Sequence, residues 1–160
     1  MIILLLISAV AGLPCSPGTY STDPTSPCQN CTVGFYQNIS NATNCNGCQT
    51  GQYQNQPGQP ECKVCPLGYF QNDNNQENCQ ICLAGTYAST TGLSSCEVCP
   101  SGTYSSELGA QNITVCQDCP QNTYETPMRS HCNLCQIGFT SSSRASNCTE
   151  CPSSGSCCDG

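Results

Sequence analysis

The sequence predicts a small disulfide-rich fold: an elongated tandem array of short, irregular β-hairpin loops, with little or no helix after an apolar leader. Three observations carry that prediction. Cys-x-x-Cys occurs eight times, at Cys28/Cys31, Cys45/Cys48, Cys62/Cys65, Cys79/Cys82, Cys96/Cys99, Cys116/Cys119, Cys132/Cys135 and Cys148/Cys151. The first cysteines of successive pairs lie 17, 17, 17, 17, 20, 16 and 16 residues apart, a regularity that marks a repeat architecture. Nineteen of the 160 residues are cysteine, above the roughly 8–10 % of a disulfide scaffold, whereas Trp is absent and there are three Phe and two Met. Such a chain has too few large apolar side chains for a packed core, so cross-links must hold it.

Residues 1–12, MIILLLISAVAG, form an apolar run that ends in small residues, and Ala9-Val10-Ala11 has the form of a signal-peptidase site. The run is shorter than the roughly 20 residues needed to cross a bilayer. It predicts a signal peptide, no membrane span in this chain, and a protein that is secreted or held on the extracellular face of the cell surface. Residues 13–151 then form about eight repeat units, and residues 152–160 a truncated last repeat or C-terminal tail.

Cys15 sets the phase of the repeat. It has no cysteine three residues before it, yet Cys15-Ser16-Pro17-Gly18-Thr19-Tyr20 has the pattern that follows the second cysteine of a pair. Each unit therefore runs from the second cysteine of one pair to the first of the next, and Cys-x-x-Cys is the joint between units. Three residues after the opening cysteine stands Gly18, Gly34, Gly51, Gly68, Gly85, Gly102 or Gly138, with Asn122 in the seventh unit. Gly and Asn best tolerate positive φ, so this position reads as a left-handed turn. Two residues later stands Tyr20, Tyr36, Tyr53, Phe70, Tyr87, Tyr104 or Tyr124, with Thr140 in the eighth unit. This ring is expected to pack over a disulfide rather than to bind a ligand. The second half of each unit is polar, and stretches such as Asn55-Gln56-Pro57-Gly58 and Thr90-Thr91-Gly92 read as hairpin turns. The insertion Gln111 to Val115 belongs in an exposed loop.

Two chemistries compete for the cysteines. Cys-x2-Cys-x13-Cys-x2-Cys lies near zinc-ribbon spacing, and two pairs per ion would give tetrathiolate sites. The leader, which directs the chain to an oxidising compartment, the cysteines left outside any group of four, and the lack of Cys-His mixtures favour disulfides. No metal or cofactor is expected. The register suggests that each unit closes on itself: Cys15–Cys28, Cys31–Cys45, Cys48–Cys62, Cys65–Cys79, Cys82–Cys96, Cys99–Cys116, Cys119–Cys132 and Cys135–Cys148. Cys151 would pair with Cys157 or Cys158, and the one left over could form an intermolecular disulfide. Interlocked pairing of first with third and second with fourth cysteines is the alternative.

Three basic residues, Lys63, Arg129 and Arg144, stand against ten acidic ones, for a net charge of −7. Nothing could neutralise a run of phosphates, which excludes nucleic acid as a partner and disfavours anionic membranes. Sequons begin at Asn30, Asn38, Asn41, Asn112 and Asn147. Asn38, Asn41 and Asn112 fall in predicted loops and are the expected glycosylation sites; Asn30 and Asn147 have a cystine residue in the middle position, which disfavours them. His131, the only histidine, reads as an exposed loop residue, and no nucleophile elbow or phosphate loop is present, so no catalytic residue is expected. Asp73-Asn74-Asn75-Gln76-Glu77 offers oxygens but lacks the EF-hand pattern.

The motifs Cys65-Pro66-Leu67-Gly68-Tyr69-Phe70 and Cys99-Pro100-Ser101-Gly102-Thr103-Tyr104, with the pairs that follow them, resemble ephrin-receptor-like cysteine-rich repeats. They are also similar to the cysteine-rich modules of the tumour-necrosis-factor-receptor and growth-factor-receptor superfamilies, and to cysteine-repeat surface antigens of protists. The resemblance implies a disulfide-laddered extracellular module without enzymatic activity, with an extracellular protein or glycan as partner. The expected function is structural, adhesive or interactive. The alternatives are a ligand-binding ectodomain of a larger receptor-like membrane protein and a zinc- or thiol-rich storage protein.

Overall fold

The computed structural model describes residues 14–151, so the leader, Cys157 and Cys158 lie outside the described residues. Eight disulfides join Cys15–Cys28, Cys31–Cys45, Cys48–Cys62, Cys65–Cys79, Cys82–Cys96, Cys99–Cys116, Cys119–Cys132 and Cys135–Cys148, each closing one loop. Numbered in that order, loops 1 to 8 each carry one two-stranded hairpin. The left-handed turn launches its first strand. The residue three after the opening cysteine takes positive φ in every loop, from +63° at Asn122 to +88° at Gly138.

The second strand is the joint itself. Thr19–Tyr20 pairs antiparallel with Gln29–Asn30, the two residues between Cys28 and Cys31, and Thr86–Tyr87 pairs in the same way with Glu97–Val98. The amide of the next opening cysteine then returns to the turn, as in Cys31 N–H to Gly18 C=O at 2.9 Å and Cys99 N–H to Gly85 C=O at 2.9 Å. Cys-x-x-Cys is thus a strand whose two ends belong to different cystines. The only helical element among the described residues is one 3-10 turn, Ile113–Val115, inside the insertion of loop 6 and capped by the Asn112 side chain. Gln111 to Thr114 are exposed, as expected of an insertion.

By their contacts the loops fall into two compact bodies. The first comprises the chain up to Lys63 with Asp73–Asn78; the second comprises Val64–Asn72 and the chain from Cys79 onward. Within each body, successive loops are joined by backbone. The turn residue donates to the sixth residue after the next opening cysteine: Gly18 to Gln37 at 2.6 Å, Gly34 to Gln54 at 2.7 Å, Gly85 to Ser105 at 2.7 Å. A second positive-φ residue, in the polar half, donates back to the preceding opening cysteine. Gly58 reaches Cys31 C=O, Asn75 reaches Cys48 C=O and Gly109 reaches Cys82 C=O, at 2.7–2.8 Å. These bonds hold backbone polar groups that a core would otherwise have to cover.

The core is correspondingly narrow. Cys31, Cys48, Cys65, Cys82, Cys99 and Cys119 are fully buried, with Ala42, Ala88 and Ala110 beside them in the buried set. The sixth position contributes buried amides: Gln37, Gln54 and Gln71. Gln54, 1 % exposed, donates through Nε2 to Glu61 C=O and accepts through Oε1 from Gln56 N–H, closing its loop from inside; Gln37 does the same with Asn44 and Ile39. Replacing Gln54 by leucine leaves both backbone groups without a partner. It is expected to cost about 1–3 kcal/mol, at roughly 0.5–1.5 kcal/mol for each of the two hydrogen bonds lost. Hydrogen exchange checks this, since the Gln56 amide should lose its protection.

Candidate interaction surface

The side chains left to meet a partner stand on the joints and turns, because the cystines and the sixth-position residues face inward. The first residue of each joint lies across the hairpin from the ring. Tyr20 opposes Gln29 and donates its hydroxyl to Gln29 Oε1 at 3.2 Å, Phe70 opposes Gln80, and Tyr104 donates to Gln117 Oε1 at 3.3 Å. Lys63 places its ammonium 5.9 Å from the centre of the Tyr53 ring. Tyr20, Tyr53 and Tyr104 therefore meet the facing joint residue of their own hairpins.

Tyr87 is the most enclosed of them, 7 % exposed, and opposes Glu97. Burial first, then the hydrogen bond and the negative charge of Glu97, push its phenol above the usual tyrosine value. The neutral form is thus favoured by folding. Its contribution to stability is full below the unfolded tyrosine value near 10 and is lost as pH rises through the higher folded value. Ultraviolet titration of the folded chain should show one tyrosine ionising after the bulk, and Tyr87→Phe should remove that late step.

At four joints the second residue meets the second positive-φ residue of a later loop, and the two are matched in size or charge. The Asn30 side chain lies against Gly58, and the Ile81 side chain against Gly109. Where the joint residue is Gly47, the later residue is Asn75, whose Oδ1 occupies the space a Cβ on Gly47 would take. Where it is Asp118, the later residue is Arg144, and the two form an ion pair at 3.6 Å. That pair is more than half exposed and so contributes little to stability.

Loop 7 substitutes side chains for backbone in this scheme. The Glu125 carboxylate accepts from Gly102 N–H and from Ser101 Oγ, while the Arg129 guanidinium donates to Cys99 C=O and pairs with Glu125 at 3.5 Å. Sequence reading assigned these two charged residues no role. Their carboxylate and guanidinium occupy places that backbone fills in other loops, and a register alignment of loop 7 against its neighbours is the signal that could have found them.

What remains outward is apolar at several joints of the second body: Val64 and Val98 at 53 % exposure, Ile81 at 39 % and Leu134 at 78 %. Leu83, Leu108, Met128 and Ile137 are exposed beside the turns and loops of the same body. Asn38, Asn41 and Asn112 all lie on the surface. Asn41 has φ +60° and its amide is tied to Cys15 C=O, and Asn112 Oδ1 accepts from Thr114 N–H. His131 is exposed, with its ring 3.1 Å from the Ser130 hydroxyl. Among the described residues there is no cluster of three or more metal-binding side chains and no helix long and apolar enough to cross a membrane. The cysteines at the joints are taken up in bridges from Cys15 through Cys148, which leaves those sulfurs no thiolate to offer a metal.

No curated protein matches the chain. Residues 68–116 match a family described as tyrosine-protein kinase ephrin type A/B receptor-like. The matched segment starts at the turn glycine of loop 4 and ends at the closing cysteine of loop 6. That match and the run of disulfide-closed hairpins around it fit a cysteine-rich receptor-like repeat.

Proposed function

We propose that this protein is a non-enzymatic, extracellular interaction module, secreted or displayed on the cell surface, that serves a structural or adhesive role. The observation that carries the proposal is the ephrin-receptor-like segment at residues 68–116 set within eight cystine-closed loops. Disulfides persist in oxidising compartments, and a fold that replaces its core with cystines depends on one. The leader at residues 1–12 supports export, and glycans at Asn38, Asn41 and Asn112 would follow from it. The partner is an extracellular protein or glycan, met by the apolar joint residues and turns of the second body. A disulfide to another chain through Cys157 or Cys158 is a further proposed link.

The test is expression of the full chain with its own leader in a secretory cell. Recovery of thiol-free protein from the medium or the outer cell surface is the expected result. Retention in the cytosol with reactive thiols would overturn the proposal and favour the thiol- or zinc-storage alternative. A second reading, a ligand-binding ectodomain of a receptor-like membrane protein, is favoured by the receptor-like character of the matched segment. A membrane span encoded farther along the transcript would select it.

A further inference from the structure

Loop 8 departs from its neighbours in the placement of its ring. Phe139 stands one position before the site occupied by Tyr87, Tyr104 and Tyr124 in the preceding loops, and Thr140 stands in the ring's usual place. Successive side chains point to opposite faces of a strand, so a shift of one residue sends the ring to the other face. There Phe139 is 39 % exposed, and with Tyr124, Gln136, Asn147 and Cys148 it lines an open depression of about 250 Å³. Asn147 is exposed and opens the sequon Asn147-Cys148-Thr149. Thr149 pairs with Thr140 on the strand that carries Phe139. The sequon and the displaced ring therefore share one hairpin. The depressions beside Asn41 and Asn112 have no aromatic residue in their walls.

We propose that Asn147 carries an N-linked glycan whose first N-acetylglucosamine rests in this depression. It rests on the extracellular reading above, because attachment requires the secretory lumen. The co-reactant is a lipid-pyrophosphate-linked oligosaccharide. Asn147 Nδ2 attacks the anomeric carbon, the C1–Nδ2 bond forms as the C1–O bond to pyrophosphate breaks, the Nδ2 proton passes to a base of the transferring enzyme, and the lipid pyrophosphate leaves. The sequence rule excludes only proline from the middle position, so Cys148 is compatible with transfer before its bridge to Cys135 closes. After folding, the apolar C–H face of the sugar lies against the electron-rich faces of Phe139 and Tyr124. Gln136 lines the same depression and offers an amide to the acetamido group. The depression is smaller than the roughly 300–1,000 Å³ of an ordinary small-molecule pocket, which suits one sugar ring already tethered at its edge.

The test is secretion of the full chain followed by glycosidase release in heavy-oxygen water, which turns every occupied asparagine into labelled aspartate. Label at Asn147 is the expected result. Label at Asn38, Asn41 or Asn112 without label at Asn147, or no label at any sequon of the secreted chain, overturns this proposal alone, whereas a chain that never reaches the medium or the outer cell surface overturns the extracellular reading as well. Seating of the sugar is read separately from thermal midpoints. Enzymatic release should lower the midpoint of the natural chain by a few degrees and leave Phe139→Thr almost unchanged. Equal shifts in the two chains would refute the seating.

Discussion

Replacing Gly68 by alanine is expected to lower the stability of the oxidised chain by about 3–4 kcal/mol, while Gly138→Ala costs about 1–2 kcal/mol. The backbone is the same at both sites, with φ of +77° and +88°, so the left-handed penalty of a Cβ is shared. The surroundings differ. A Cβ on Gly68 would overlap the Gly109 carbonyl two loops farther along, and the obstacle is backbone that cannot rotate away. Parting those loops strains the bonds from Gly68 N–H to Ala88 C=O and from Gly109 N–H to Cys82 C=O, each contributing about 1 kcal/mol. Around Gly138 nothing stands within 4 Å. Denaturation midpoints of the two variants check the difference, and equal losses would show that the turn, rather than the close approach of loops, sets the requirement for glycine.

Removing one bridge should have an effect of similar size. Cys65→Ala with Cys79→Ala opens a loop whose cystine ends are 14 positions apart in sequence, for which the chain-entropy account gives about 3 kcal/mol. Both cysteines are replaced so that the substitution itself creates no new unpaired thiol to reshuffle the others. Cys65 is fully buried, so its loss also leaves a small void. The damage should reach the neighbouring loops first, since Cys65 C=O accepts from Gly92 N–H in loop 5, Gln71 N–H donates to Leu93 C=O, and Asn75 N–H donates back to Cys48 C=O in loop 3. Repeat arrays are stabilised by intrinsic and nearest-neighbour terms, so loop 5 should lose amide protection before loop 7 does. Uniform loss along the whole chain, or none, would contradict this.

These two predictions rest on features that the sequence makes visible. A cystine needs cysteine, and a left-handed turn pressed against a carbonyl needs glycine, so both leave residue types at fixed spacing. Asn122 also fits, as the one non-glycine at that turn, with φ +63° and an exposed side chain that accepts from Thr140 Oγ1. The second left-handed position was harder to see. Asn41, Gly58, Asn75, Gly92 and Gly109 suggest it, but Arg129 and Arg144 occupy it in loops 7 and 8, where arginine gives no hint of positive φ.

The links between loops were not legible, for a physical reason. They are made by backbone N–H and C=O groups, which every residue supplies, so the polar halves can drift in sequence while the bonds persist. The sixth position shows the same blindness. Ser21, Gln37, Gln54, Gln71, Ala88, Ser105, Glu125 and Ser141 share no chemistry, and glutamine ordinarily reads as a surface residue. Gln37 and Gln54 satisfy their own loops from within, Ala88 is fully buried, and Glu125 reaches back to Ser101 and Gly102 of the preceding loop. The size match between joint residues and later turns, Gly47 with Asn75 and Ile81 with Gly109, is likewise a correlation at a distance that no single repeat reveals.

Each Cys-x-x-Cys joins two closed loops, so its two cysteines belong to different disulfides. Partial reduction of the natural oxidised chain, followed by alkylation and mass mapping, tests this most directly. The expected linked peptides join Cys15 to Cys28, Cys31 to Cys45 and Cys65 to Cys79, with the pattern repeating through Cys135 and Cys148. A bridge from Cys28 to Cys45, or one within any Cys-x-x-Cys pair, would contradict it.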